Sequence, residues 1–189
     1  MSVKLITAPT EEPVTLAEMK LYLKLGADTT DDGLVSAMIK AMREQCENEL
    51  KRAICTQTWE LILDTFPVAI ELPLPVTQSI VSVKYLDING MQQTIDPTQY
   101  VLDSESQPAF LVPIINTCWP ATGAYINAVR IRYVAGFGLA SAVPENIKLW
   151  IKSSVFLAYE NRQDIAYGTW NKLDYQDCLL DRYRIVQMF

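Results

Sequence analysis

The sequence predicts an α+β chain in which a small helical bundle carries an inserted antiparallel β unit. Apolar residues recur every three or four positions up to about residue 53, every second position from Thr56 to about Val134, and at helical spacing again after Pro144. Asn89-Gly90, set between two alternating runs, marks a tight hairpin within the middle stretch, since both turn residues tolerate the positive φ such a turn requires. With 189 residues, 50% of them hydrophobic, the chain can bury about 70% of the surface it exposes when unfolded. One domain over residues 1–189 is expected, with a core that needs no disulfide or metal.

The helical part begins at Thr15-Leu16-Ala17-Glu18, a capping box in which the Thr15 hydroxyl and the Glu18 carboxylate satisfy each other's free backbone donors. Leu16, Met19 and Leu23 form its stripe. After the break at residues 26–30, a longer helix is expected over about 31–53, with Val35, Ile39, Met42, Cys46 and Leu50 on its apolar side. Its other face would carry Lys40, Arg43, Glu44, Glu47 and Lys51, with Glu47 supporting Lys51 one turn on. Residues 15–53 thus read as a helical hairpin.

Residues 56–135 read as the β unit. Trp59, Leu61 and Leu63 alternate with Glu60, Ile62 and Asp64, and Val81, Val83 and Tyr85 with Ser82, Lys84 and Leu86. Short strands fit Tyr100 to Leu102 and Phe110 to Val112, and Ala128 to Val134 gives a clear one. Between Pro108 and Tyr125, Pro113, Cys118, Trp119, Pro120 and Gly123 suit a long ordered loop. Pro144, at a first helical position, opens a core helix over 144–162 that is apolar around most of its circumference and so is buried on more than one side. From Asp174, Tyr175, Leu179, Tyr183 and Val186 recur at helical spacing, and the chain finishes on an apolar stretch, Ile185 to Phe189, that needs cover.

Composition narrows the chemistry. Sixteen basic and twenty-two acidic residues give a net charge of -6, which disfavours sequence-independent DNA binding. The absence of histidine removes Ser-His and Cys-His dyads and the usual nitrogen ligand for zinc or copper. Cys46, Cys55, Cys118 and Cys178 are scattered, which predicts reduced, packed thiols and a reducing compartment. The start, Met1 to Pro9, is less apolar than a signal peptide, and no run reaches membrane-spanning length, so a soluble protein not exported by a standard signal is expected.

The local candidates for chemistry are weak. Asp28-Thr29-Thr30-Asp31-Asp32-Gly33 starts like a calcium loop, but the third position is Thr30 and the twelfth is Ile39, so capping and a turn are the better reading. Glu44, Glu47 and Glu49 run along one charged helix face and do not converge as paired acid-base carboxylates. Cys46 lies on the apolar stripe, and no spacing singles out a Ser-Lys pair. Trp119 and Tyr125 could stack on a sugar or base, although a tryptophan pinning its own loop is the simpler expectation. Gly136-Phe137-Gly138 lacks the lysine of a phosphate loop and reads as a turn. No catalytic, metal or cofactor site is expected.

Several segments taken in order carry a resemblance. They are Pro13 to Glu18, Asp31-Asp32 opening a helix, Thr56 to Leu61, Ile70-Glu71-Leu72-Pro73, Ser79 to Tyr85, Trp119-Pro120-Ala121, Val129 to Gly136, and Val143 to Lys148. Over about residues 9–162 this order resembles the head-tail connector, or adaptor, proteins of tailed bacteriophages, in the form with a β-rich insertion. The resemblance implies a structural, non-catalytic head-completion protein assembled in the host cytoplasm. It would form a ring, commonly of about twelve copies, under the portal protein and give a platform for the tail or its stopper protein. By the same resemblance, residues 174–189 would dock on the portal through Leu179, Arg182, Tyr183, Arg184, Ile185, Val186, Met188 and Phe189. No matching signature follows Arg162.

Within that reading Lys40, Arg43, Glu44, Glu47 and Lys51 would make subunit contacts, and Trp119 and Tyr125 a contact to the tail or a neighbour. Twelve chains of -6 would carry about -72, so that DNA passes the channel without specific binding. The isolated chain is expected to be monomeric and to order its tail only on the portal. Two other classes stay open from sequence: a β-rich module binding carbohydrate or a host protein through Trp119 and Tyr125, and a carboxylate-dependent hydrolase.

Overall fold

A computed structural model describes the chain over residues 1–160 and 174–185. It forms two compact units, Met1–Thr10 with Thr56–Phe137, and Glu11–Cys55 with Gly138–Phe189. The strands of the first unit are β1 (Ser2–Thr7), β2 (Gln57–Leu63), β3 (Ile70–Leu72), β4 (Thr77–Leu86), β5 (Gln92–Ile95), β6 (Tyr100–Asp103), β7 (Ala109–Pro113) and β8 (Val129–Ala135). The helices of the second are α1 (Leu16–Leu23), α2 (Asp32–Leu50), α3 (Glu145–Glu160) and α4 (Asp174–Asp181). An α+β architecture with antiparallel sheets results.

The strands make two sheets, ordered β1-β2-β8-β4-β5 and β3-β7-β6, with every pairing antiparallel. β8 is central because its alternation is strict: Val129, Ile131, Tyr133 and Ala135 are buried while Arg130, Arg132 and Val134 point the other way. Its apolar side is buried with Leu61 and Val83, as are Ile70, Leu72 and Leu111 of the small sheet, and the Tyr133 hydroxyl donates to the Pro73 carbonyl just past β3 at 2.7 Å. The two sheets therefore share one core and turn their other faces outward.

Three expectations for this unit change. It recruits β1 from the N-terminus, which pairs with β2, so it is larger than residues 56–135. The stripe Val81-Val83-Tyr85 breaks because the ladder shifts register between Ile80 and Ser82, turning Val81 out to 54% exposure. At the hairpin only Gly90 adopts positive φ, at 77°, and Asp87 organises the turn by accepting from the Asn89 and Met91 N–H groups at 2.9 and 3.0 Å. A turn of that kind has one extra residue compared with a two-residue loop.

In the second unit the capping box is formed: Thr15 accepts from the Glu18 N–H at 3.2 Å and its own N–H donates to the Glu18 carboxylate at 2.9 Å. Lys24, in the left-handed region at φ 57°, ends α1, and Lys51 at φ 54° ends α2. α3 packs against α1, α2 and α4, which buries Ile147, Trp150, Ile151, Val155 and Tyr159 and leaves Phe156 39% exposed. Pro144 lies one residue before α3, where its carbonyl accepts from Ile147 and Lys148. Among the described residues no helix is long and apolar enough to cross a membrane.

Candidate assembly surfaces

The helical period alone puts Arg43 and Glu47 on the solvated face of α2, and the structure corrects this. Arg43 is only 3% exposed. Its Nε donates to Glu12 at 2.7 Å, Nη1 to Glu47 at 2.7 Å and Nη2 to Glu44 at 3.3 Å. The second Glu47 oxygen accepts from the Ile54 N–H at 3.0 Å. One guanidinium thus ties the segment before α1 and the segment after α2 to the middle of α2. Burial lowers the Arg43 pKa, and the carboxylates of Glu47, Glu12 and Glu44 outweigh it and leave it raised.

Glu47 is therefore occupied inside the unit, and the expected support from Glu47 to Lys51 is absent because the helix ends at Leu50. Lys40, Glu44 and Lys51 keep exposed side chains. Glu44 and Glu47 share Arg43 and do not face each other across a cleft. The calcium-like segment is likewise committed elsewhere: Asp28 accepts from the Thr30 N–H and hydroxyl, Asp32 pairs with Lys20 at 2.7 Å, and Asp31 accepts from the Tyr159 hydroxyl. Asp31 makes no side-chain cap for α2, contrary to expectation. Among the described residues no group of three His, Cys, Asp or Glu could hold a metal ion.

The C-terminal segment is seated on its own chain as far as it is described. Leu180 is fully buried, and the Tyr183 carbonyl accepts from Arg52 Nε at 3.0 Å. These contacts within the chain are available to the segment without a partner. Leu179, Tyr183 and Ile185 are half-buried and Arg182 and Arg184 exposed. Val186, Met188 and Phe189 lie outside the described residues.

Trp119 stacks on Phe66, ring centroids 4.9 Å apart and planes 10° apart, and Phe66 meets Tyr85 edge-on at 5.8 Å. The indole thereby pins the long loop to the β unit beside a shallow cleft of about 310 Å³. Tyr125 packs elsewhere, over the hairpin: a Cβ on Gly123 would come within 2.3 Å of its ring, and one on Gly90 within 3.0 Å of its hydroxyl. The two aromatics do not form one platform. Around Tyr125, Ile88, Met91 and Ile126 are exposed at the same end of the sheet.

Packed thiols account for only half of the cysteines. Cys46 and Cys55 are buried, whereas Cys118 and Cys178 are exposed. Burial pushes the Cys46 thiol far up and that of Cys55 to about 12, which makes both poor nucleophiles at neutral pH.

No family model and no curated protein sequence matches the chain. Solved structures match it along its whole length. A chain in the neck of an empty gene transfer agent particle, computed with C6 symmetry, superposes with a TM-score of 0.84 at 19% identity, covering 100% of this chain and 98% of that one. A chain of the native gene transfer agent virion gives 0.82 at 20% identity, and one in the native neck, computed with C12 symmetry, 0.72 at 19%, each with the same coverage. At this identity the fold is what is shared.

Proposed function

We propose that this protein is a structural, non-catalytic subunit of a virion neck. It forms a ring under the portal, completes the DNA-filled head and offers the platform on which the tail or its stopper attaches. The full-length superposition on a neck chain at a TM-score of 0.84 carries this reading. The C6 and C12 symmetry of the matched necks supports a cyclic assembly, with twelve copies the expected number.

Within the reading, Lys40, Glu44 and Lys51 on the open side of α2 are available to a neighbouring subunit. Arg182 and Arg184, exposed at the end of α4, face outward for a portal contact, and the role of Val186, Met188 and Phe189 in that contact is part of the proposal. Tyr125 and its apolar neighbours at the hairpin end suit a contact to the tail component. DNA passes through the channel without specific binding, as the net charge of -6 per copy favours.

Co-expression with the portal subunit of the same particle tests the proposal. Native mass spectrometry should find a cyclic multimer on the portal, and electron microscopy should place its density between head and tail. Particles that carry no such density at that vertex would overturn it.

A further inference from the structure

The positive charge of the β unit is collected on one surface. Residues 1–10 and 56–137 contain four basic side chains, Lys4, Lys84, Arg130 and Arg132. The ladders bring all four to the outer face of the five-stranded sheet: Lys4 and Arg132 both lie opposite Glu60 on β2, and Lys84 lies opposite Arg130. Glu60 is the one acid among the strand residues of that face, and it is 7% exposed, taken up by Arg130 at 3.3 Å and Arg132 at 2.9 Å. These four cations and one acid leave the face a net charge of about +3, with Lys4 and Lys84 outside any ion pair among the described residues, on a chain whose net charge is -6.

The outward face of the small sheet has the opposite character. Its register sets Glu71 and Asp103 on either side of Phe110, with Val101 opposite Val112 in the next row. Glu105 follows in the turn after β6. No lysine or arginine occurs anywhere in residues 64–83 or 85–129. The cationic face has an apolar element of its own in Ile62, which shares its row with Arg130.

Because the sheets share one core, these two unlike faces lie on opposite sides of the unit. A two-fold dimer would bring like charges together, whereas a head-to-tail contact brings unlike ones together and repeats around a closed ring. We propose that the cationic face of the five-stranded sheet seats the acidic face of the small sheet of a second copy, and that this contact is the principal subunit junction of the ring. The inference rests on the ring reading above and names the surfaces that make it. It also withdraws the four basic side chains of the β unit from the channel wall.

The test reverses charges that hold no ion pair among the described residues. Lys4→Glu with Lys84→Glu makes one variant, and Glu71→Lys with Glu105→Lys the other, each full length and assembled with the portal subunit, with circular dichroism reporting the fold. Each variant alone should raise the concentration needed for half-assembly by about tenfold or more, and an equimolar mixture should bring it back to within about threefold of wild type. In the mixture the two variants must alternate, so only even-numbered rings close. Rings that form normally from either variant alone, or a mixture that fails to recover, would overturn the inference while leaving the ring itself standing.

If the wild-type chain makes no ring, the ring reading falls and this junction with it. Retention of duplex DNA that is lost in the lysine variant while its ring mass stays normal would also overturn the junction. Should the variants not fold, the wild-type ring decides: its half-assembly concentration must rise steadily as salt is raised from about 50 to 500 mM, and indifference to salt overturns the proposal.

Discussion

At the residue scale, Arg43 is a buried cation joined to three carboxylates. Its three carboxylate partners were placed to balance one buried guanidinium, and removing it leaves Glu12 and Glu47 close together and half-desolvated. Arg43→Met should lower the unfolding free energy by about 3 kcal/mol in urea denaturation; a loss below about 1 kcal/mol would mean the network is solvated in practice. Titration makes a second residue-level prediction. Asp28 is held below the usual carboxylate range by the Thr30 N–H, Asp87 by the Gln93 amide, and Asp96 and Asp103 by the hydroxyls of Thr98 and Ser106. Depressed carboxylates stabilise the fold above their unfolded pKa, and that contribution is lost as pH falls through the folded value. Burial raises Cys55 from 9.0 to about 12 and raises Cys46 and Tyr133 as well, so their contribution is whole below the unfolded pKa and is lost as pH rises through the folded one. Thermal melts should therefore be flat between about pH 5 and pH 8 and fall on both sides. Cys55→Ala should make the alkaline fall shallower, and an unchanged alkaline limb would count against the assignment.

At the element scale, the entry to α1 and the crossing at Gly123 are open to single substitutions. Thr15→Ala removes the cap from an eight-residue helix and should cost about 1 kcal/mol by chemical denaturation. Gly123→Ala sets a methyl 2.3 Å from the Tyr125 ring and 2.9 Å from the Asp87 carbonyl, so it should cost about 2 kcal/mol and shift the tyrosine emission. The contrast between these two sites shows what a sequence makes legible. The capping box is complete within four adjacent residues, and β8 announces itself by unbroken alternation, so both could be read directly. The clash at Gly123 depends on where Tyr125 folds back, and nothing local specifies that. β1 is not legible in the sequence because its partner β2 lies some fifty residues on, nor is β3, because three residues are too few to display a period. Arg43 looked solvated because charge predicts exposure unless its partners are known, and Glu12 is 31 positions away. The cationic sheet face was invisible for the same reason, since register alone brings Lys4, Lys84 and Arg130 together.

At the scale of the whole molecule, the covalent path sets what can fold alone. The β unit draws on two stretches of chain, and the helical unit is interrupted between Cys55 and Gly138. Those two residues form a parallel β-bridge with one another, so the ends left by cutting out residues 56–137 are already neighbours. A flexible join of about four glycine and serine residues reaches about 11 Å, enough to reconnect adjacent strands that run the same way. Contacts internal to the helical unit include the Arg43 network, the Tyr159 to Asp31 hydrogen bond, the Tyr22 ring edge-on to Phe156, and the Arg52 hydrogen bond to the Tyr183 carbonyl near the buried end of α4. A chain of residues 11–55 joined in this way to 138–189 should therefore show helical circular dichroism and unfold cooperatively. The reverse piece, residues 56–137 alone, lacks β1 and leaves the β2 edge open, so it should aggregate or melt without a transition unless residues 1–10 are supplied. Cooperative unfolding of residues 56–137 alone, or a joined helical unit without a transition, would show that the division of labour between the two units is drawn in the wrong place.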